Sequence, residues 1–278
     1  TKYKFENKKN KIIVYFIIMS LIEIQSDISG GESGTIAPSV FSGENMIIVR
    51  GRTSSKDAFL YRRNQDTWTF IKKITSTITV RHATMNDNIA VLADHVADTN
   101  HDNSGTIEIY HKDEGGTDNW GLIKTIHGDE EDRRLGCAPK LYNTTLVVGA
   151  DGSGKIKGKV YIYEKDEGSA NNWGEVTILQ PTDTYKGDYF GSGSDIYGDW
   201  IVVGAYEVSE RDQEGTITGE SKIGAIYIYK KETGGWTQKH KKQLDSPTSD
   251  DNFGKVVSIH GDYIAVTAPG WDYTGNDN

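Results

Sequence analysis

The sequence predicts an all-β chain made of short antiparallel four-stranded units in series, and two observations carry that prediction. One is composition. The chain has 31 Gly and 15 Tyr beside only 5 Pro and 3 Met, a balance that suits many short strands joined by tight turns better than helices. The other is self-similarity. In four places a Tyr closes an alternating apolar strand and a Trp follows after a polar turn: Tyr61 and Trp68, Tyr110 and Trp120, Tyr163 and Trp173, Tyr229 and Trp236. These pairs recur about every 50 to 60 residues, a period typical of repeat architectures.

Before each Tyr strand comes a hairpin signal, a polar turn between two strand-like runs. The first unit reads IAPSVFSGENMIIVRG with its turn at Gly43 to Asn45, and the second VRHATMNDNIAVLAD with its turn at Asn86 to Asn88. The third reads LGCAPKLYNTTLVVGA with Asn143 at the turn. In the fourth, FGSGSDIYGDWIVVGA runs from Phe190 to Ala205 and turns at Gly198-Asp199. In the fifth, FGKVVSIHGDYIAVTAP runs from Phe253 to Pro269 and turns at Gly261-Asp262. The units therefore fall at about 35–76, 77–128, 134–183, 188–250 and 252–278, within a repeat region of residues 27–278. A lone four-stranded sheet leaves both faces wet, so successive sheets must stack around an axis as the blades of a β-propeller. In that arrangement the recurring Tyr and Trp fill the space between blades, and the Gly-Ala ends of the VVGA runs let strands approach closely.

The N-terminus carries an export signature. Lys2, Lys4, Lys8, Lys9 and Lys11 precede the apolar run Ile12 to Ile22, which is too short to span a bilayer as a helix. Residues 1–26 are thus expected to be a signal peptide, the alternative being an edge strand of the first unit, since IIVYFII also has high β-propensity.

The ordered recurrence of FG, turn, VVGA, YIY and Trp resembles the FG-GAP repeats of integrin α-subunits. It is carried by Phe190-Gly191 with Gly204-Ala205, by Phe253-Gly254 with Ala268-Pro269, and by the strands Gly158 to Tyr163 and Gly224 to Tyr229. The likeness covers most of residues 35–278, and the first two units lack the Phe-Gly and Gly-Ala signatures. The resemblance implies a propeller of six to eight blades. Against that number this chain supplies about four and a half to five, which reads as an incomplete propeller from a longer protein.

The resemblance also implies Ca²⁺ in the loops after the Gly-Ala element, where alternating Asp and Asn side chains supply the several oxygens a hard cation requires. Asp98, Asn100 and Asp102 alternate in this way in the second unit, with Thr106 where the family has a closing Asp. Glu210, Asp212 and Glu214 have the same spacing in the fourth, with Thr218 at the closing position. Asp272, Asn276 and Asp277 begin a third such loop in the fifth unit. The alternative is a set of solvated acidic loops. One sequon, Asn143-Thr144-Thr145, lies at a predicted hairpin turn and is a candidate glycosylation site.

A formal charge of −9 disfavours nucleic acid and anionic membrane surfaces as partners, and the mature segment is not expected to insert into a membrane. The single cysteine, Cys137, excludes an intrachain disulfide framework and reads as a small buried hydrophobe. No GxSxG, HExxH, phosphate-cradling or dinucleotide motif is present, and no catalytic residue is assigned. The histidines read as surface groups, with His95 and His101 flanking the acidic loop. The expected function is a secreted or cell-surface binding module with a protein or glycan ligand and, through the resemblance, bound Ca²⁺. Two alternatives stay open: a propeller hydrolase or lyase with a metal near the axis, and a purely structural repeat.

Overall fold

The computed structural model describes residues 40–42, 46–50, 55–64, 67–170 and 172–271. The predicted signal peptide, the first hairpin turn at Gly43 to Asn45 and the loop of Asp272, Asn276 and Asp277 lie outside the described residues.

The fold is all-β, as the sequence predicts. Blade 1 comprises β1 (Val40–Ser42), β2 (Met46–Arg50), β3 (Asp57–Asn64) and β4 (Thr67–Thr75). Blade 2 comprises β5 (His82–Met85), β6 (Ile89–Asp94), β7 (Thr106–His111) and β8 (Gly121–His127). Blade 3 comprises β9 (Leu135–Tyr142), β10 (Thr145–Ala150), β11 (Lys159–Lys165) and β12 (Trp173–Leu179). Blade 4 comprises β13 (Gly193–Tyr197), β14 (Trp200–Ala205), β15 (Ala225–Glu232) and β16 (Gly235–Lys242). A further hairpin, β17 (Val257–His260) and β18 (Tyr263–Val266), follows. Every four-stranded sheet is a simple antiparallel meander in chain order. The first strands are neighbours, β5 against β9, β9 against β13 and β13 against β17, so each blade has its first strand innermost and its fourth outermost. This is the arrangement of propeller blades.

Strand alternation divides each sheet between two neighbours. On β6, Ala90 and Leu92 pack toward blade 1 with Ile48, Leu60 and Ala83, whereas Ile89, Val91 and Ala93 pack toward blade 3 with Leu146, Val148 and Tyr163. The second strands β6, β10 and β14 are consequently near-continuous runs of buried residues. Both faces are covered, so these strands carry apolar runs instead of apolar-polar alternation.

A bulge recurs at each repeated Tyr. The ladder between third and fourth strands skips a residue between Leu60 and Tyr61, Ile109 and Tyr110, Ile162 and Tyr163, and Ile228 and Tyr229. Each bulge bends the outer strand over the neighbouring blade. Trp120 and Trp173 are buried between blades, and Trp236 packs at the edge of the core between blades 3 and 4. Phe190 packs edge-on to Tyr227, with ring centroids 5.3 Å apart. No helix among the described residues is long and apolar enough to cross a membrane.

Candidate binding face and acidic loops

In every blade the start of the first strand and the end of the second lie at the same end of the sheet, because the two strands are antiparallel. Side chains that flank these strands therefore converge near the axis. Blade 2 brings Arg81 and His82 against Asp94 and His95, with Arg81 Nε 2.7 Å from Asp94 Oδ1 and His82 Nε2 3.1 Å from His95 Nδ1. Blade 3 sets Arg134 Nη1 3.4 Å from Asp151 Oδ1. From blade 4, Tyr189 stacks on Tyr206, with ring centroids 5.0 Å apart at an interplanar angle of 26°. Lys255, just before β17, places Nζ 5.2 Å from the Tyr206 ring centroid.

The electrostatics tie these pairs into one surface. Burial, followed by the fields of His82, Arg134 and Arg81, depresses His95 to about 3, so its imidazole is neutral. Burial and the nearby Glu207, Tyr189 and Asp151 raise the Tyr206 phenol to about 12, so it stays a hydrogen-bond donor. A row of half-buried aromatic rings, a neutral imidazole and internally paired charges suits recognition by stacking and hydrogen bonding.

This face is not apparent from the sequence alone, in which the histidines read as surface groups and His95 and His101 flank the acidic loop. The fold corrects that: His95 pairs with half-buried His82, while His101 sits exposed in the acidic loop. The available signal was position within the repeat. His95, Asp151 and Tyr206 each follow a second strand.

The loops joining second to third strands leave from this same end. Asp98, Asn100 and Asp102 are all exposed on the loop after β6. Asp98 Oδ1 accepts a hydrogen bond from the Asn103 N–H at 2.6 Å, and Asn103 takes the positive φ of 50° that closes the turn. The loop is pinned to the linker entering blade 3, where the Asp132 and Arg134 N–H groups donate to the carbonyls of Asp102 and Asn103. Glu210, Asp212 and Glu214 belong to a small hairpin in the loop after β14. There Glu210 Oε2 accepts from the Glu220 N–H at 3.0 Å, Asp212 Oδ1 accepts from the Thr216 N–H at 2.8 Å, and Glu214 is exposed at the turn. Among the described residues no three His, Cys, Asp or Glu side chains cluster as a metal would require.

Asn143 is exposed at the two-residue turn between β9 and β10, with a φ of 51°. Cys137 is buried on β9, its Sγ 3.4 Å from the Arg134 carbonyl, and burial pushes its thiol far up. It is unsuited to nucleophilic work.

Residues 173–229 match the FG-GAP repeat. This span begins at Trp173 on the outer strand of blade 3 and ends at Tyr229 on the third strand of blade 4. It thus contains the interface between two blades instead of one whole blade. No curated protein matches the chain.

Proposed function

Because residues 173–229 match the FG-GAP repeat and lie in a series of propeller blades, we propose that this protein is a non-catalytic binding module of the integrin-α kind, acting outside the cell or at its surface. The observation that carries the reading is the convergence of His82, His95, Arg134, Tyr189, Tyr206 and Lys255 at one end of the blades. Propellers present their variable loops at such an end, so specificity resides there and the repeat supplies rigidity. The ligand is a protein or a glycan, met by the Tyr189 and Tyr206 rings and by the loops 94–105 and 206–224.

Two further readings belong to the same proposal. Asp98, Asn100 and Asp102 would hold Ca²⁺ through hard oxygen donors exposed on one loop, stiffening the rim of the binding face, with Glu210, Asp212 and Glu214 as a second such loop. Asn143, exposed at its turn, would carry a glycan on export. The test of the main reading is binding of the labelled protein to arrays of glycans and of extracellular matrix proteins, repeated with Tyr206→Ala. The expected result is a ligand whose signal falls at least about tenfold in the variant. Ligands retained in full by Tyr206→Ala would place recognition elsewhere.

A further inference from the structure

The repeat puts an acid and a hydroxyl at the same place in successive blade interfaces, and one of those places is left open. Between blades 1 and 2 the acid is Glu108 on β7. It is buried and accepts hydrogen bonds from Ser76 Oγ, the Thr77 N–H, Thr77 Oγ1 and Tyr110 Oη. Between blades 3 and 4 the strand position of Glu108 is taken by Tyr227, and the acid, Asp183, comes from the linker. Lys241, opposite Tyr227 in the ladder, completes that site from within the chain: its Nζ lies 2.7 Å from Asp183 Oδ2 and 5.3 Å from the Tyr227 ring centroid.

Between blades 2 and 3 the same parts are present without the lysine. Tyr161 holds the position of Tyr227 and donates its hydroxyl to Asp129 Oδ1 at 3.2 Å, and the buried Arg133 places Nε 3.4 Å from the same oxygen. The residue opposite Tyr161 is Ile178. A cleft of about 270 Å³ opens here, walled by Tyr161, Tyr163, Trp173, Asp129, Glu175 and Lys124. Tyr161 and Tyr163 lie near parallel, at 10°, along one wall. Lys124 is already engaged, its Nζ 2.6 Å from both Asn172 Oδ1 and the Trp173 carbonyl. The Glu175 side chain is exposed and within the field of Lys159, and makes no hydrogen bond or ion pair among the described residues, while the buried indole N–H of Trp173 has no partner, like those of Trp120 and Trp236 in the neighbouring blades.

We propose that this cleft is a binding site for a primary ammonium on an unbranched stem, the side chain of a lysine in a partner polypeptide, which takes the place that Lys241 fills in the next interface. The ammonium sits between Asp129 and Glu175, and the stem lies along the tyrosine rings. The volume suits one side chain and is below that of a typical small-molecule pocket. The site lies between the outer strand β8 and blade 3, and its existence does not depend on the axial binding face.

The experiment is an NMR titration of the folded full chain with Nα-acetyl-lysine methylamide, following the indole N–H resonance of Trp173. The proposal requires a saturable shift that is absent with the ε-acetylated, uncharged analogue and with glucosamine, an ammonium without an alkyl stem. Asp129→Asn with Glu175→Gln should weaken the response at least about tenfold. Ile178→Lys keeps both acids and supplies the missing ammonium in cis, so it should abolish the response and raise the thermal midpoint. Should the acid variants fail to fold, Ile178→Lys decides alone. No saturable shift in the parent chain, an equal shift with the uncharged analogue, or a response surviving Ile178→Lys each overturns the site, and binding of glucosamine alone overturns the lysine assignment.

Discussion

The α-carbon of Gly204 faces the carbonyl oxygen of Gly254 in the next blade so closely that a β-carbon there would lie 1.9 Å from it. Gly149 stands in the same relation to the carbonyl of Gly191, at 1.8 Å. The Gly-Ala of one unit and the Phe-Gly of the next are therefore two halves of a single contact. One glycine gives up its side chain so that two backbones can meet. The other, with φ of 94° at Gly254 and 90° at Gly191, turns the chain through a region that side chains disfavour.

Gly204→Ala should accordingly destabilise the protein by about 3 kcal/mol or more, since backbone has to move to admit the methyl group. Gly198→Ala is the matched control. Gly198 also has a positive φ, 57°, but an added β-carbon would meet nothing within 4 Å, so its cost should be about 1 kcal/mol of backbone strain. Urea unfolding of the two variants measures the difference, and equal losses would show that the close approach is not rigid.

Adjacent blades are also latched by lysine. Lys124 on β8 donates to Asn172 and Trp173 of blade 3, and Asn172 in turn donates to the Glu167 carbonyl at 2.6 Å. One interface earlier, Lys72 on β4 reaches Asn119 Oδ1 at 2.8 Å, and Asn119 donates to the Glu114 carbonyl at 2.8 Å. Lys124→Met should cost about 1 to 2 kcal/mol. A double-mutant cycle with Asn172→Ala should show coupling of about 1 kcal/mol, and strictly additive losses would mean the contact is incidental.

The units, the turns and the pairing of Tyr with Trp were legible in the sequence because they depend on local chemistry repeated in register. Gly198-Asp199, Gly261-Asp262 and Asn143 all sit at hairpin turns, and the VVGA runs are second strands buried on both faces. The convergence of side chains at the axial end was not legible. His82 and His95 are neighbours only through the β5 and β6 register, and Tyr206 meets Tyr189 and Lys255 only after blades curve around an axis. The exchange of Glu108 for Tyr161 and Tyr227 was hidden for a further reason. Acid and hydroxyl trade between strand and linker, so no single position keeps its chemistry.

That exchange can be tested directly. Glu108→Ala leaves the hydroxyls of Ser76, Thr77 and Tyr110 and the Thr77 N–H without their acceptor inside the interface, at a cost of about 3 kcal/mol or more. Glu108→Tyr combined with Thr77→Asp rebuilds the blade 3 version and should recover part of the loss in denaturant unfolding. A double variant no more stable than Glu108→Ala would show that the two arrangements are not interchangeable.

His95 should set an acid limit on stability. Its folded value of about 3 lies below the ordinary 6.5, so between these pH values the unfolded chain binds a proton that the fold refuses. Stability is then full above about pH 6.5 and falls as pH drops toward 3, by up to about 1.4 kcal/mol per pH unit from this group. Thermal midpoints of the parent and His95→Gln measured across that window should converge at low pH. Parallel curves would mean that His95 is as readily protonated in the fold as in the unfolded chain.

The calcium reading carries its own internal competitor. Lys155, in the basic loop of blade 3, places Nζ 2.7 Å from Asp132 Oδ2, and Asp132 is bonded to the Asp98 loop through Asn103 Nδ2 at 3.2 Å. Asp132, then Glu131 and Asp102, hold the lysine ammonium above its usual range, so its charge acts within the field of the acidic loop. A fixed cation there repels Ca²⁺. Lys155→Gln should tighten Ca²⁺ binding by about three- to tenfold in calorimetric titration at low salt, and less at high salt. Asp98→Ala should weaken it. Ca²⁺ heats that Asp98→Ala leaves unchanged would move the cation to another loop. Tight binding indifferent to Lys155 would show that the ammonium is screened by Asp132 before its field reaches the site.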